Sequence, residues 1–264
     1  MWAKGWRSYL SDSGEFVQSL ERGLAVIRAF TRERPQLTLT DAATITGLTR
    51  ATARRFLMTL ESLGYATTDG KQWRLTARVL DLGHSYLASL GLPEIVAGHL
   101  DRVAQAVHES ASAAVLDGDD IVYVARVESR KIMRVQITVG TRFPAYVTSM
   151  GRVLLADLET ADAERILRAS DRRALTPHTT TEVADLVAEL SRVREAGYSL
   201  VDQELELGLR SLAVPVRDSS GRVVAAINVS TTAAGAPRET LAAVLPTLLA
   251  AQADIEVELA SLVR

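Results

Sequence analysis

Apolar residues recur with helical spacing at Val17, Leu20, Leu24 and Ile27, so residues 17–30 are predicted to form a helix with one buried stripe, ended by Pro35. A second, short helix is predicted within residues 39–47, with Thr38 or Thr40 as its N-cap and Gly47 as its breaker. Thr49 can cap a third helix over residues 50–63. On that helix Ala53, Phe56, Leu57 and Leu60 share one face with Gly64, while Ala51, Arg54 and Arg55 point away, flanked by Arg50 and Thr52. Two short β-prone runs between Tyr65 and Leu75 then flank Asp69-Gly70, a two-residue hairpin signature.

Three short helices followed by a hairpin form the pattern of a winged helix-turn-helix. Ala43 and Gly47 supply the small residue and the permissive turn that two closely crossing helices need. The candidate DNA-contacting residues are Thr49, Arg50, Ala51, Thr52, Arg54 and Arg55 on the recognition helix, with Lys71 and Arg74 on the wing. Such side chains reach base edges and phosphates in a major groove. Taken singly, each element also suits a surface helix or a packed hairpin; their order is what favours DNA binding.

Residues 76–90 read as a further helix, interrupted by Gly91-Leu92-Pro93. The domains expected are a flexible arm over 1–15, the winged helix-turn-helix over 16–77, a linker helix over 78–92 and a second domain over 93–264. In that last part, helical patterns over 93–108, 151–158, 161–169, 181–197 and 238–262 are interspersed with β-prone runs over 111–117, 121–128, 132–139, 198–202, 209–217 and 223–230. An α+β domain is predicted, a mostly antiparallel sheet flanked by helices.

Charge and composition narrow the classes. Residues 1–90 hold 12 Lys+Arg against 8 Asp+Glu, a net of +4, whereas the remainder carries −6. A basic first third suits a polyanionic partner. The chain has no cysteine, which excludes disulfides, a thiol nucleophile and thiolate metal sites. No apolar run reaches the roughly 18 to 20 residues that span a bilayer, and the N-terminus lacks the apolar core of a secretory signal, so no membrane partner and a cytoplasmic location are expected. The histidines His84, His99, His108 and His178 have no metal-ligand spacing, and no nucleophile elbow, P-loop or dinucleotide fingerprint occurs. No catalytic set, no metal and no cofactor are expected.

Three segments could hold a ligand. Around Gly140–Ala156, Pro144 forces an extended stretch and Thr148 or Ser149 caps a helix, whose free amides with the Ser149 hydroxyl suit a carboxylate; an ordinary N-cap explains the same residues. The charged run from Asp202 to Ser211 offers Arg210 and Ser211, or is a solvated loop with internal ion pairs. Asn228 and Ser230 project from one face of an apolar strand and need polar partners there, whether a ligand or a backbone carbonyl.

The stretches SLERGLAVIRAF, TGLTRATARRFLMTLESLGY, GTRFPAYVTSMGRVLLA, REAGYSLVDQELELGLRSLAVPVRD and VVAAINVS resemble the IclR family of bacterial transcriptional regulators, from about Val17 to the C-terminus. YVARVESRKIM and TSMGRVLLA resemble the branch that controls protocatechuate, 4-hydroxybenzoate and β-ketoadipate catabolism. The resemblance implies a winged-helix DNA-binding domain, a linker helix and a GAF-like effector domain. It also implies homodimers or homotetramers on palindromic double-stranded DNA operators, a small organic acid as effector, and RNA polymerase as partner if the protein activates. Carried over by residue, the effector pocket would use Ser149, Met150, Gly151, Asp202, Leu209, Ser211, Asn228 and Ser230, with Ile132, Met133 and Val135 as an apolar wall. Tyr123 and Tyr146 would stack on an aromatic ligand, or belong to the core. Two other classes stay open: an enzyme of GAF or hydrolase type with an accessory helix-turn-helix, which a turnover assay would reveal, and a protein-interaction module, which would lack salt-dependent DNA binding.

Overall fold

The computed structural model describes residues 16–31, 33–83, 92–128, 137–233 and 243–261. The chain divides between residues 86 and 87 into two compact units.

The N-terminal unit runs α1 (Gln18–Arg28), β1 (Gln36–Thr38), α2 (Leu39–Thr46), α3 (Arg50–Ser62), β2 (Ala66–Thr68) and β3 (Gln72–Leu75). Thr38 caps α2 in a reciprocal box with Asp41: the Asp41 N–H donates to Thr38 Oγ1 at 3.2 Å and the Thr38 N–H to Asp41 Oδ2 at 3.0 Å. Gly47 ends α2 in the left-handed region, at φ +68°. Thr49 caps α3, accepting from the Thr52 N–H at 3.2 Å. Val26, Leu37, Ala42, Leu57, Leu60 and Ala66 form the core. The strands pair antiparallel in the order β1-β3-β2. Strand β1 is not foreseen in the sequence, because three residues are too few to show a period.

Two expectations are corrected here. The α1 stripe is not buried: Val17, Leu20 and Leu24 are 60%, 63% and 48% exposed, and the helix turns Val26 into the core instead. Periodicity reveals an apolar face but not what covers it. The hairpin turn centres on Gly70-Lys71 rather than Asp69-Gly70, since the Asp69 N–H donates to the Gln72 carbonyl at 3.3 Å. The Asp69 carboxylate accepts from the Lys71 and Gln72 amides, which holds its pKa below the usual range.

The C-terminal unit runs α4 (Leu92–Val107), β4 (Ser110–Asp117), β5 (Asp120–Val127), β6 (Arg142–Pro144), α5 (Ser149–Asp157), α6 (Thr160–Ala169), α7 (Val183–Ala196), β7 (Ser199–Asp202), β8 (Leu209–Arg217), β9 (Val223–Thr232) and α8 (Leu245–Ser261). Its six strands form one antiparallel sheet in the order β6-β5-β4-β9-β8-β7. Helices α4 and α8 cover one face, packing Leu100 and Ile255 on Val214 and Ile227. Helix α5 covers the other, where Met150 and Leu155 meet Ala213 and Ala226, with α7 alongside. With both faces covered, β8 and β9 read as nearly continuous apolar runs. Strand β5 carries a bulge: Ala113 pairs with Ala125 but Ala114 pairs with Tyr123, leaving Val124 as the extra residue.

The β-prone run over 132–139 is only partly described; residues 137–140 are a loop and turn, not a strand. The arm 1–15, linker residues 84–91 and the start of the last predicted helix, 238–242, lie outside the described residues. Among the described residues no helix is long and apolar enough to cross a membrane.

Candidate nucleic-acid interface and effector cavity

Helix α3 presents Arg50, Ala51, Arg54 and Arg55 outward, while Ala53, Leu57 and Leu60 anchor its other face. Thr52 is half-buried, and its hydroxyl lies 2.9 Å from that of Thr49, so the two threonines fix the start of the helix. Lys71 and Arg74 are exposed on the hairpin. None of Arg50, Arg54, Arg55, Lys71 and Arg74 forms an ion pair with a described residue, and Arg74 feels only the more distant charge of Asp69.

The second site is a cavity between α5 and the sheet. It is lined by Tyr123, Ile137, Val147, Thr148, Ser149, Met150, Val201, Leu205, Leu209, Ser211, Asn228 and Ser230. Thr148 is the N-cap of α5, accepting from the Gly151 N–H at 3.0 Å, so Ser149 is the first helical residue and not the cap. The Ser149 hydroxyl is buried with no hydrogen-bond partner. Across the cavity Asn228 and Ser230 leave the same face of β9, joined by a 3.0 Å bond from Asn228 Nδ2 to Ser230 Oγ. Asn228 Oδ1 is also buried without a partner. Burial pushes the Tyr123 hydroxyl up to about 12, partly offset by the nearby Arg126 cation, so it stays a neutral phenol.

Of the expected pocket residues, Ser149, Met150, Leu209, Ser211, Asn228 and Ser230 come together here. Three do not. Tyr146 is core: its hydroxyl donates to the Arg173 carbonyl at 2.8 Å and accepts from the Arg173 N–H at 3.0 Å. Gly151 packs against backbone, since a Cβ there would lie 2.2 Å from the Ala145 oxygen. Asp202 instead pairs with Arg210 at 2.7 Å, because alternation on β8 sends Arg210 away from Leu209 and Ser211. Ile132, Met133 and Val135 lie outside the described residues. Val201 was legible only through register, as it pairs with Ser211. Ile137 and Leu205 come from loops, where no periodicity exists to find them. Among the described residues no three His, Cys, Asp or Glu side chains gather as a metal site.

A winged helix with an exposed basic helix, in one chain with a unit that holds a cavity lined by polar and apolar side chains, defines a ligand-responsive DNA-binding regulator. Residues 19–70 match the IclR helix-turn-helix domain and residues 84–257 the bacterial transcriptional regulator IclR C-terminal domain. The chain belongs to the IclR family of transcriptional regulators. It is 44% identical over 255 residues to the Pca regulon regulatory protein of Pseudomonas putida, covering 96% of this chain and 87% of that one. A transcriptional regulator structure from Rhodococcus sp. RHA1 is 52% identical, with a TM-score of 0.84 over 94% of this chain and 100% of its own. An IclR homologue from Microbacterium hydrocarbonoxydans, complexed with 4-hydroxybenzoate, is 26% identical, with a TM-score of 0.82 over 92% and 99% of the two chains.

Proposed function

We propose that the protein controls genes of aromatic-acid catabolism and is switched by a small organic acid, an aromatic acid or a β-ketoadipate-like diacid, held in the α5 cavity. The observation that carries this is the pair of buried polar atoms without partners, Ser149 Oγ and Asn228 Oδ1, on the α5 and β9 walls of one cavity whose lining mixes polar and apolar side chains. Leaving such groups unpaired costs about 1–3 kcal/mol each, which a polar ligand would recover. The Pca and 4-hydroxybenzoate relatives support the same ligand class.

In this reading Arg50, Ala51, Thr52, Arg54 and Arg55 enter a major groove, and Lys71 and Arg74 hold phosphates. The exposed apolar residues at the start of α1 and just before it, Phe16, Val17, Leu20 and Leu24, join two copies, so that paired recognition helices meet a palindromic operator. Homodimers, or tetramers built from them, act in the cytoplasm as a regulator and not as a catalyst, with RNA polymerase as partner where transcription rises. The effector acts by preferring one arrangement of the DNA-binding units, a coupling of about 1–3 kcal/mol.

The test is thermal stability at fixed protein concentration against protocatechuate, 4-hydroxybenzoate and β-ketoadipate-like diacids, followed by operator titration with the best binder. A ligand held only by the folded state raises the midpoint by mass action. A shift coupled to a changed operator affinity is the expected result; no shift across the panel would refute the ligand class.

A further inference from the structure

Beside the cavity, on the same face of the sheet as its lining residues Tyr123 and Asn228, lies a charge that the family comparison does not assign. Arg126 on β5 pairs in register with Ser112 on β4, and Ser112 pairs with Asn228 on β9. Residues opposite one another share a face, so the Arg126 side chain leaves the sheet on the side where Asn228 lines the cavity. Two strand spacings, about 10 Å, separate Arg126 and Asn228 along this row. The guanidinium already spans the first of them, donating from Nη1 to Ser112 Oγ at 3.0 Å.

The β5 bulge creates this arrangement. Tyr123 and Arg126 are three residues apart, and in an unbroken strand they would face opposite sides. The extra residue Val124 restores both to the cavity face.

The Arg126 side chain is only 6% exposed, yet it has little to neutralise it. Its one carboxylate among the described residues is Glu128, 3.5 Å from Nε and itself 66% exposed. Nη2 makes no hydrogen bond to a described residue. Arg152, equally buried, is paired at 2.6 Å with Glu204 and donates to the Tyr146 carbonyl at 2.9 Å. A buried cation without a close anion is costly, and a planar guanidinium matches a carboxylate through two parallel bonds.

We propose that Arg126 is the charge-recognition residue of the effector cavity, receiving a carboxylate of the bound acid; this rests on the cavity being the effector site. Asn228 accommodates an anion beside it. Its amide can turn over with Ser230 as donor to its oxygen, presenting Nδ2 instead of Oδ1. Arg126 and Ser112 then extend the polar side of the cavity beyond Asn228, with Ser149 on the α5 side, a layout for an acid with a second polar group.

The experiment is calorimetric titration of wild type, Arg126→Gln, Arg126→Lys and Ser149→Ala with 4-hydroxybenzoate, protocatechuate and adipate, each beside its neutral carboxamide. Thermal midpoints without ligand report folding. Arg126→Gln is expected to weaken acid binding about 10- to 100-fold and to leave carboxamide binding within about 2-fold. Arg126→Lys, which keeps the charge but not the planar fork, is expected to retain a reduced preference for the acid even if the glutamine variant folds poorly. Unchanged acid binding in Arg126→Gln, or equal loss of acid and carboxamide, overturns the assignment. If Ser149→Ala still weakens binding in that case, the cavity reading stands without Arg126. No acid or carboxamide binding by wild type overturns both.

Discussion

The Arg152 guanidinium and the Glu204 carboxylate meet at 2.6 Å inside the C-terminal unit, joining α5 to the loop between β7 and β8. The first element brings Ser149 and Met150 to the cavity, the second brings Leu205. Glu204 also accepts from the Thr180 N–H at 2.9 Å, so a third segment is tied to the same carboxylate.

Removing one partner of this pair leaves a buried charge uncompensated. Glu204→Ala is expected to destabilise the protein by about 3–5 kcal/mol, read by chemical denaturation. Replacing both residues together by apolar ones should recover much of that loss. Equal stabilities for Glu204→Ala and wild type would show that the pair is solvated in solution.

Ser149→Ala separates binding from folding. The ligand-free protein should be as stable as wild type or slightly more so, because an unpaired buried hydroxyl disappears. Acid affinity should fall about 2- to 10-fold, the worth of a hydrogen bond to a neutral polar group of the ligand. A large loss of ligand-free stability would mean that the hydroxyl is already satisfied.

On α3, Arg54→Ala and Arg55→Ala should leave the melting temperature nearly unchanged, since both side chains are exposed. Each arginine that touches a phosphate should lower the slope of log affinity against log salt by about 1 when removed, and one that reads a base should cost about 1–3 kcal/mol at a single operator position. Operator affinity unaffected by both substitutions would move the interface elsewhere.

Leu20→Glu on the exposed face of α1 places a charge where two copies are proposed to meet. Sedimentation should show self-association displaced to higher protein concentration, with operator affinity falling in parallel. An unchanged distribution would assign that face another role.

Tyr123 gives a pH signature. Its phenol titrates at about 12 in the fold and near 10 in the unfolded chain. The stability it contributes is therefore present below pH 10 and is lost as the pH rises towards 12. Tyr123→Phe should flatten that alkaline fall in denaturation experiments.

Much of the architecture is written in short-range pattern. The Leu209–Arg217 strand coincides with its apolar run, and Thr49 and Gly47 mark the ends of their helices as capping chemistry requires. What escaped depends on distant partners. Strand β1 exists because Leu37 meets Trp73, 36 positions later in the chain. Tyr146 resembles a ligand-stacking ring until the Arg173 backbone closes over its hydroxyl. Arg126 looks like an ordinary strand arginine, because nothing local announces that Val124 is a bulge. Ser149, Ser211, Asn228 and Ser230 were legible from local pattern on α5, β8 and β9, and Met150 and Leu209 through the family resemblance; Ile137 and Leu205 sit in loops.

Gly151 sets a limit on how this sensor can be retuned. The helix backbone lies so near Ala145 that no methyl group fits between them, which locks the first turn of α5 to the turn that precedes it. Side chains alone cross the gap from that corner to β9. A change of ligand size must be met by exchanging the side chains that cross the gap, Met150, Leu205 and Leu209 among them, while the scaffold stays in place.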